Sequence, residues 1–266
     1  MGDLKKRFFS ALIFGPLVAL LFLFLQPLPF ILFLALVLAI GAYEFSSMAD
    51  ASNPLLAALL AAASLIPLYF YGAAFYPLWL LFSPAVFLAA GMGVRRGEPS
   101  IVNREIGRSI VVLVLAEVFL ALPLFFLYCL KELDPILPLV LLLTIWASDT
   151  AAYLLGRSAG KHKLAPLVSP KKTWEGFLGA LIGAALAVFL FKNRLGLTLP
   201  VSVGAGVVIG ALGQLGDILE SIAKRVCEVK DSSRLIPGHG GLLDRVDSFL
   251  LTAPFLYYYF SAHRAM

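Results

Sequence analysis

A chain of 266 residues with 61% hydrophobic residues, 14% charged residues and a mean hydropathy of +0.93 lies outside the range of soluble domains, which carry roughly a quarter charged residues. Repeated apolar runs near ~20 residues, the length that crosses a bilayer core, exclude a soluble enzyme and point to an all-α polytopic integral membrane protein. The net charge of +5 is gathered in a few polar segments, where it suits membrane topology and anionic lipid headgroups; no nucleic-acid partner is expected.

Hydropathy and breaker residues predict nine helices, at about 8–25, 28–47, 54–71, 76–93, 109–130, 135–155, 174–191, 201–226 and 247–262. The first follows Lys5, Lys6 and Arg7 and resembles a secretory signal. It is long for such a segment, no small-residue cleavage site follows, and further spans come after it, so it is read as the first transmembrane helix. Gln26-Pro27-Leu28-Pro29 and Ser52-Asn53-Pro54 punctuate the early spans. Helix is expected throughout, because a lipid-facing backbone must satisfy its own hydrogen bonds and the runs lack the alternation of a barrel. The organisation expected is N-terminal helices over 1–93, middle helices with polar loops over 94–173, and a C-terminal functional unit over 174–266.

With the N-terminus cytoplasmic, seventeen of the 21 Lys and Arg residues fall on the inner side, leaving Lys131, Lys192, Arg194 and Arg264 outside. The positive-inside rule favours that orientation. It places the two longest polar loops, 156–173 and 227–246, in the cytoplasm. Cys129 and Cys227 are far apart in sequence and lack metal-ligand spacing, so both are read as packing residues.

Ionisable residues inside membrane spans are costly and mark functional sites by default. Five stand out: Glu44, Glu117, Asp149, Asp217 and Glu220. Glu44 and Glu117 are isolated and are read as structural hydrogen-bonding partners. Asp149 and Asp217 lie roughly 9 and 14 Å in from the inner ends of their spans at about 1.5 Å per residue. That similar depth implies a shared polar cavity open to the cytoplasm.

The densest chemistry runs from 213 to 247. Asp217, Glu220, Ser221 and Lys224 follow i, i+3, i+4, i+7 and line one helical face. Gly210, Gly213 and Gly216 permit close helix approach. Beyond come Lys230-Asp231, then Ile236-Pro237-Gly238-His239-Gly240-Gly241, a tight loop whose backbone N–H groups suit phosphate. Asp244-Arg245-Val246-Asp247 follows, with two carboxylates at i, i+3 spaced for one hard cation such as Mg²⁺. Lys224, Arg225, Lys230 and Arg245 are placed to neutralise phosphate charge. In Ser169-Pro170-Lys171-Lys172-Thr173-Trp174-Glu175-Gly176 the lysines flank a helix start at which Thr173 is the N-cap candidate.

The segment from Ser221-Ile222-Ala223-Lys224-Arg225 through Lys230-Asp231 and Ile236–Gly241 to Leu243-Asp244-Arg245-Val246-Asp247 closely resembles the signature of the phosphatidate cytidylyltransferases. Ser169–Gly176 and Ser148-Asp149-Thr150 resemble further motifs of that family. The likeness covers about 149–247; the first half resembles the family in hydropathy alone. Ala223 departs from the pattern, where the family tends to carry a larger apolar residue.

The resemblance implies attack by a phosphatidate phosphate oxygen on the α-phosphorus of CTP, releasing pyrophosphate in a bacterial-type inner membrane with the active site facing the cytoplasm. Asp217, Lys224, Asp244 and Asp247 are then the catalytic candidates. Ser221, Arg225, Lys230, Asp231, His239, Gly240, Gly241, Arg245, Lys171 and Lys172 would bind substrate, and Asp217, Asp244, Asp247 and Asp149 would hold Mg²⁺, with a second cation also expected. CTP, phosphatidic acid, the bilayer and a second copy of the chain are the partners implied. The competing readings are a CTP-dependent lipid-alcohol kinase and, more remotely, a cation-coupled transporter, whose repeated halves are not evident here.

Overall fold

The computed structural model of the chain describes residues 15–92, 99–233, 235 and 240–264. Lys5, Lys6, Arg7, Arg95, Arg96, Arg234 and His239 lie outside the described residues, so the His239 assignment is not addressed. The described residues form an all-α integral membrane protein with one short hairpin. Six stretches are long and apolar enough to cross a membrane: Pro27–Met48, Pro54–Ala90, Arg104–Leu133, Leu137–Ala159, Trp174–Leu195 and Leu199–Val226.

These six, counted among the described residues, compare with the nine expected helices as follows. Only Gly15–Phe24 (α1) of the first expected span is a described helix. After Pro27–Met48 (α2), the expected spans at 54–71 and 76–93 fall in one apolar stretch. That stretch is broken into Pro54–Ala63 (α3), Leu65–Tyr71 (α4), a 3₁₀ turn at Gly72–Phe75 and Tyr76–Met92 (α5). The break falls at Gly72, whose φ of 67° favours glycine. Pro99–Ala116 (α6) passes through a π-helical turn, Glu117–Ala121, into Leu122–Leu133 (α7). Pro123, just beyond the turn, has no N–H to continue the regular ladder.

Leu137–Ala159 (α8), Trp174–Leu195 (α9) and Leu199–Val226 (α10) form a tightly packed trio. Glycine sets the spacing. A Cβ at Gly183 would stand 2.6 Å from the Ala147 carbonyl oxygen of α8, and one at Gly206 would stand 2.5 Å from Ala185 Cα of α9. Backbones approach this closely only where side chains are absent. Leu243–Val246 (α11) and Phe249–Arg264 (α12) are the last described helices. Buried Phe30, Leu34 and Leu38 of α2 pack with Leu127 and Leu130 of α7 and Leu137 and Leu141 of α8, while Phe70, Leu81 and Leu190 stay exposed as lipid-facing groups do.

The polar loop after α8 is more ordered than its composition implied. Lys163–Ala165 (β1) pairs antiparallel with Ser169–Thr173 (β2). Thr173 caps α9, its Oγ1 accepting the Gly176 N–H at 3.1 Å. Glu175 accepts the His162 N–H at 3.3 Å and meets His162 Nδ1 at 2.7 Å, closing the hairpin onto the helix.

Contacts sort the helix ends into two groups. At one end Lys131 donates to the Phe22 and Leu23 carbonyls at 2.6 and 3.0 Å, and Arg194 pairs with Asp134 at 3.3 Å. The other end holds the C-terminal parts of α2, α8 and α10, the hairpin and the segment leading to α12.

Candidate active site

The α10 face read from spacing is present as a contiguous surface. Ser221 Oγ donates to Asp217 Oδ1 at 3.3 Å, and the Lys224 ammonium lies 2.5 Å from Glu220 Oε2. Glu220 is buried, and the Lys224 ammonium against its Oε2 supplies the compensating charge. Asp247 comes to this face because the turn between α11 and α12 packs on Gly216, where a Cβ would overlap the Asp247 carbonyl oxygen. Asp217, Glu220 and Asp247 consequently offer one oxygen each, all within 4.8 Å of one another.

Two further elements close on this cluster. Successive strand residues point to opposite sides, so of the two β2 lysines Lys171 is exposed while Lys172 turns inward. Lys172 Nζ meets Asp217 Oδ2 at 2.7 Å and the Gln214 carbonyl oxygen at 3.4 Å. From α8, Asp149 accepts the Gln214 side-chain N–H at 3.3 Å. Asp149 is therefore beside the cluster through an α10 residue one turn from Asp217. Burial first, then the carboxylates of Asp217 and Asp149, push the Asp247 carboxyl up to about 7, against hydrogen bonding from the Ser248 N–H and the Lys224 charge. Carboxylates this close oppose one another's ionisation unless a cation joins them.

Asp244 takes a different position from the one its i, i+3 spacing to Asp247 suggested. Its Oδ1 accepts Lys224 Nζ at 2.5 Å, and its Oδ2 accepts the Gly241 and Ser232 N–H groups at 2.8 and 3.3 Å. Burial alone would raise the Asp244 carboxyl, but the Lys224 and Gly241 hydrogen bonds outweigh it and hold it below the usual carboxylate value. Of the glycine loop, Gly240 and Gly241 are among the described residues. The N–H groups of Gly241, Leu242 and Leu243 are directed at Asp244 and Glu44 carboxylates, so these three are not presented to a phosphate.

The remaining cations are more peripheral. Arg225 donates from Nε to the Val168 carbonyl at 3.1 Å and from Nη1 to the Val229 carbonyl at 3.1 Å, tying the helix end to the hairpin. Lys230, Asp231 and Arg245 are exposed, and Gly240 adopts a φ of 82°. Glu220 was visible on the helical face but was not assigned to the metal set; its spacing from Asp217 was the signal. Glu44 carried no local signal, because its partners lie 188 to 199 residues away.

The donor set fits a hard divalent cation. Three carboxylate oxygens within 4.8 Å of one another compare with about 4 Å between opposite oxygens around an ion bound at about 2.1 Å, and one or two protein carboxylates plus phosphate suffice for Mg²⁺. Among the described residues, Asp217, Glu220 and Asp247 are the group that could hold one, with Asp149 adjacent.

The described residues form a membrane-embedded bundle that brings three carboxylates and two lysines together at one end of α10. The sequence matches the Cytidylyltransferase family over residues 5–263, and the chain belongs to that family. A phosphatidate cytidylyltransferase of Staphylococcus haemolyticus is 47% identical over 116 residues, 43% of this chain and 45% of that protein. One from Haemophilus influenzae is 46% identical over 140 residues, 48% of each. One from Bacillus subtilis is 46% identical over 116 residues, 43% of each. The chain spans a little under half the length of these curated relatives in the matched regions.

Proposed function

We propose that the chain is a phosphatidate cytidylyltransferase, which joins CTP and phosphatidic acid to give CDP-diacylglycerol and pyrophosphate. The observation that carries this reading is the convergence of Asp217, Glu220 and Asp247 with Lys172 and Lys224. A phosphatidate phosphate oxygen forms a bond to the α-phosphorus of CTP, and the α–β bridging bond breaks with its electron pair leaving on pyrophosphate. Such transfers need alignment and charge neutralisation more than covalent help. A Mg²⁺ bound by the three carboxylates would supply Lewis-acid stabilisation of the phosphoryl oxygens.

The chain's own residues account for the rest. Asp149, against Gln214, keeps negative charge beside the cluster and biases it toward cations. Lys224 is held between Glu220 and Asp244, which fixes its ammonium in place. Lys172 lies against Asp217; with that carboxylate engaged by a cation, the Lys172 ammonium would be placed to neutralise the triphosphate. Arg225, Lys230, Arg245 and Lys171 would draw in CTP, and Ser221, Asp231 and Gly240 would contact the nucleotide or lipid phosphate. A second cation would use the acids that one ion leaves over.

The site faces the cytoplasm of an inner membrane in this reading, because seventeen of 21 basic residues then fall inside. Phosphatidate enters sideways from the inner leaflet. Its two acyl chains anchor it at about 0.8 kcal/mol per buried CH₂, and CTP cannot enter the hydrocarbon. A homodimer is expected from the family resemblance.

The deciding experiment gives the purified protein phosphatidate, Mg²⁺ and CTP labelled at either the α- or the γ-phosphate. Label from the α position should appear in the lipid, and label from γ should appear only in pyrophosphate. Transfer of γ label to a lipid would identify a kinase and end this reading.

A further inference from the structure

Glu44 lies on α2, in the half of the chain without signature residues, yet it is buried and receives four hydrogen bonds from the segment that leads into α11. Its Oε1 accepts from Ser233 Oγ at 2.6 Å and the Leu242 N–H at 3.0 Å, and its Oε2 accepts from Ser232 Oγ at 3.0 Å and the Leu243 N–H at 2.8 Å. Four donors on two oxygens call for a group with acceptor capacity only, which an ionised carboxylate has and an amide lacks. The clamp does not end at the loop. Ser232 Oγ is also 3.2 Å from Asp244 Oδ2, so one hydroxyl proton bridges two carboxylates, and Asp244 Oδ1 holds Lys224. Nothing larger fits between them: a Cβ at Gly241 would overlap both Ser232 Oγ and the Glu44 carboxylate.

We infer that Glu44 is a positioning residue for the transfer reaction. It fixes Asp244 through Ser232 and the Leu242–Leu243 backbone, and through Asp244 it fixes the Lys224 ammonium beside Glu220. An ammonium carrying a flexible four-carbon stem loses catalytic value when its anchor shifts, since misplacement by about 1 Å can cost on the order of 10²-fold in rate. This rests on the proposed cytidylyl transfer for its kinetic part, while the clamp itself is testable without substrate.

The test uses the full chain in lipid nanodiscs as wild type, Glu44→Gln and Glu44→Asp. Amide hydrogen exchange at Leu242 and Leu243 is measured with no substrate, beside thermal stability and the kcat and KM for CTP. Glu44→Gln turns one acceptor into a donor facing a backbone N–H. It should speed exchange at those amides at least tenfold and lower kcat about 100-fold per folded molecule. Glu44→Asp should recover at least tenfold of that rate, because the carboxylate returns. If Glu44→Gln fails to fold, Ser232→Ala carries the test: it cuts the bridge to Asp244, leaves both backbone bonds to Glu44, and should lower kcat about tenfold. Exchange unchanged in Glu44→Gln, or kcat within twofold of wild type in the folded variant tested, overturns the inference. Lower thermal stability with unchanged kcat is the signature of a merely structural residue and overturns it as well. Wild-type protein that makes no CDP-diacylglycerol would sink the functional reading instead, leaving the exchange result to judge the clamp.

Discussion

Gly216→Ala adds one methyl group where α10 meets the turn before α12. The new Cβ would overlap the Asp247 carbonyl oxygen and lie 3.3 Å from Asp247 C and 3.6 Å from Ser248 Cα. All three are backbone atoms, so no side-chain rotation relieves the contact, and the turn must retreat by about 1 Å. Overpacking of that kind costs roughly 1–3 kcal/mol, offset by up to about 1 kcal/mol from replacing glycine by alanine in a helix. The protein should therefore still fold. The rate should not survive, because Asp247 moves away from Asp217 and Glu220, and a displacement near 1 Å costs on the order of 10²-fold. Gly213→Ala, one turn earlier, is the internal control. Its Cβ meets only Thr252 Cγ2 at 3.8 Å and Ser248 Cβ at 3.9 Å, ordinary contacts. Steady-state CDP-diacylglycerol synthesis across a Mg²⁺ titration, with thermal unfolding in parallel, separates the two. Gly216→Ala should lose about 100-fold in kcat and require more Mg²⁺, with Gly213→Ala within threefold of wild type. Equal rates in both variants, or equal loss in both, would refute the reasoning.

Asp217→Asn and Asp247→Asn each remove a charged ligand and should abolish measurable synthesis while keeping the protein in the membrane fraction; activity above about a tenth of wild type in either would remove that residue from the metal set, since lost transition-state electrostatics cost about 10²–10³-fold. Lys172→Ala should raise the KM for CTP at least tenfold, since it removes the ammonium that meets Asp217; CTP kinetics at wild-type values would detach the hairpin from the site. Because the Asp247 carboxyl is raised to about 7, a cation must displace its proton below that pH. Apparent Mg²⁺ affinity from a titration series should then fall about tenfold per pH unit beneath 7. The raised value also means that the metal-free folded state holds this proton more tightly than the unfolded chain. Its contribution to stability therefore improves as pH falls from about 7 toward the ordinary carboxylate range. Mg²⁺ affinity independent of pH between 5 and 7 would count against Asp247 as a ligand.

The legible part of the site was the part that lies on a single helix. Asp217, Glu220, Ser221 and Lys224 share a face because of the 3.6-residue period, and spacing alone reveals that. The depth argument placed Asp149 and Asp217 together, and the structure joins them through Gln214. Spacing does not reveal the partners of Asp244. Its separation from Asp247 suits a shared ion, while Lys224 Nζ, the Gly241 and Ser232 N–H groups and Ser232 Oγ engage its carboxylate. The Leu242 and Leu243 N–H groups are likewise directed at the carboxylate of Glu44. No local pattern marks Glu44 as their partner, because the contact is made across some 190 residues of chain by helix packing. The hairpin over 163–173 escaped notice because its strands are short and polar, with Lys and Pro that carry little strand signal. The helices expected at 54–71 and 76–93 are separated by the left-handed turn at Gly72, where hydropathy divides the apolar stretch in two.

The central claim, that Asp217, Glu220 and Asp247 form the metal centre at which CTP is used, is tested most directly by replacing Mg²⁺ with Mn²⁺ in the presence of CTP and locating the ion by anomalous scattering. The account predicts a peak within ~2.5 Å of carboxylate oxygens from at least two of these three residues, with the triphosphate against the same ion. An ion and nucleotide held more than ~10 Å from Asp217, far beyond any metal–oxygen bond, would contradict it.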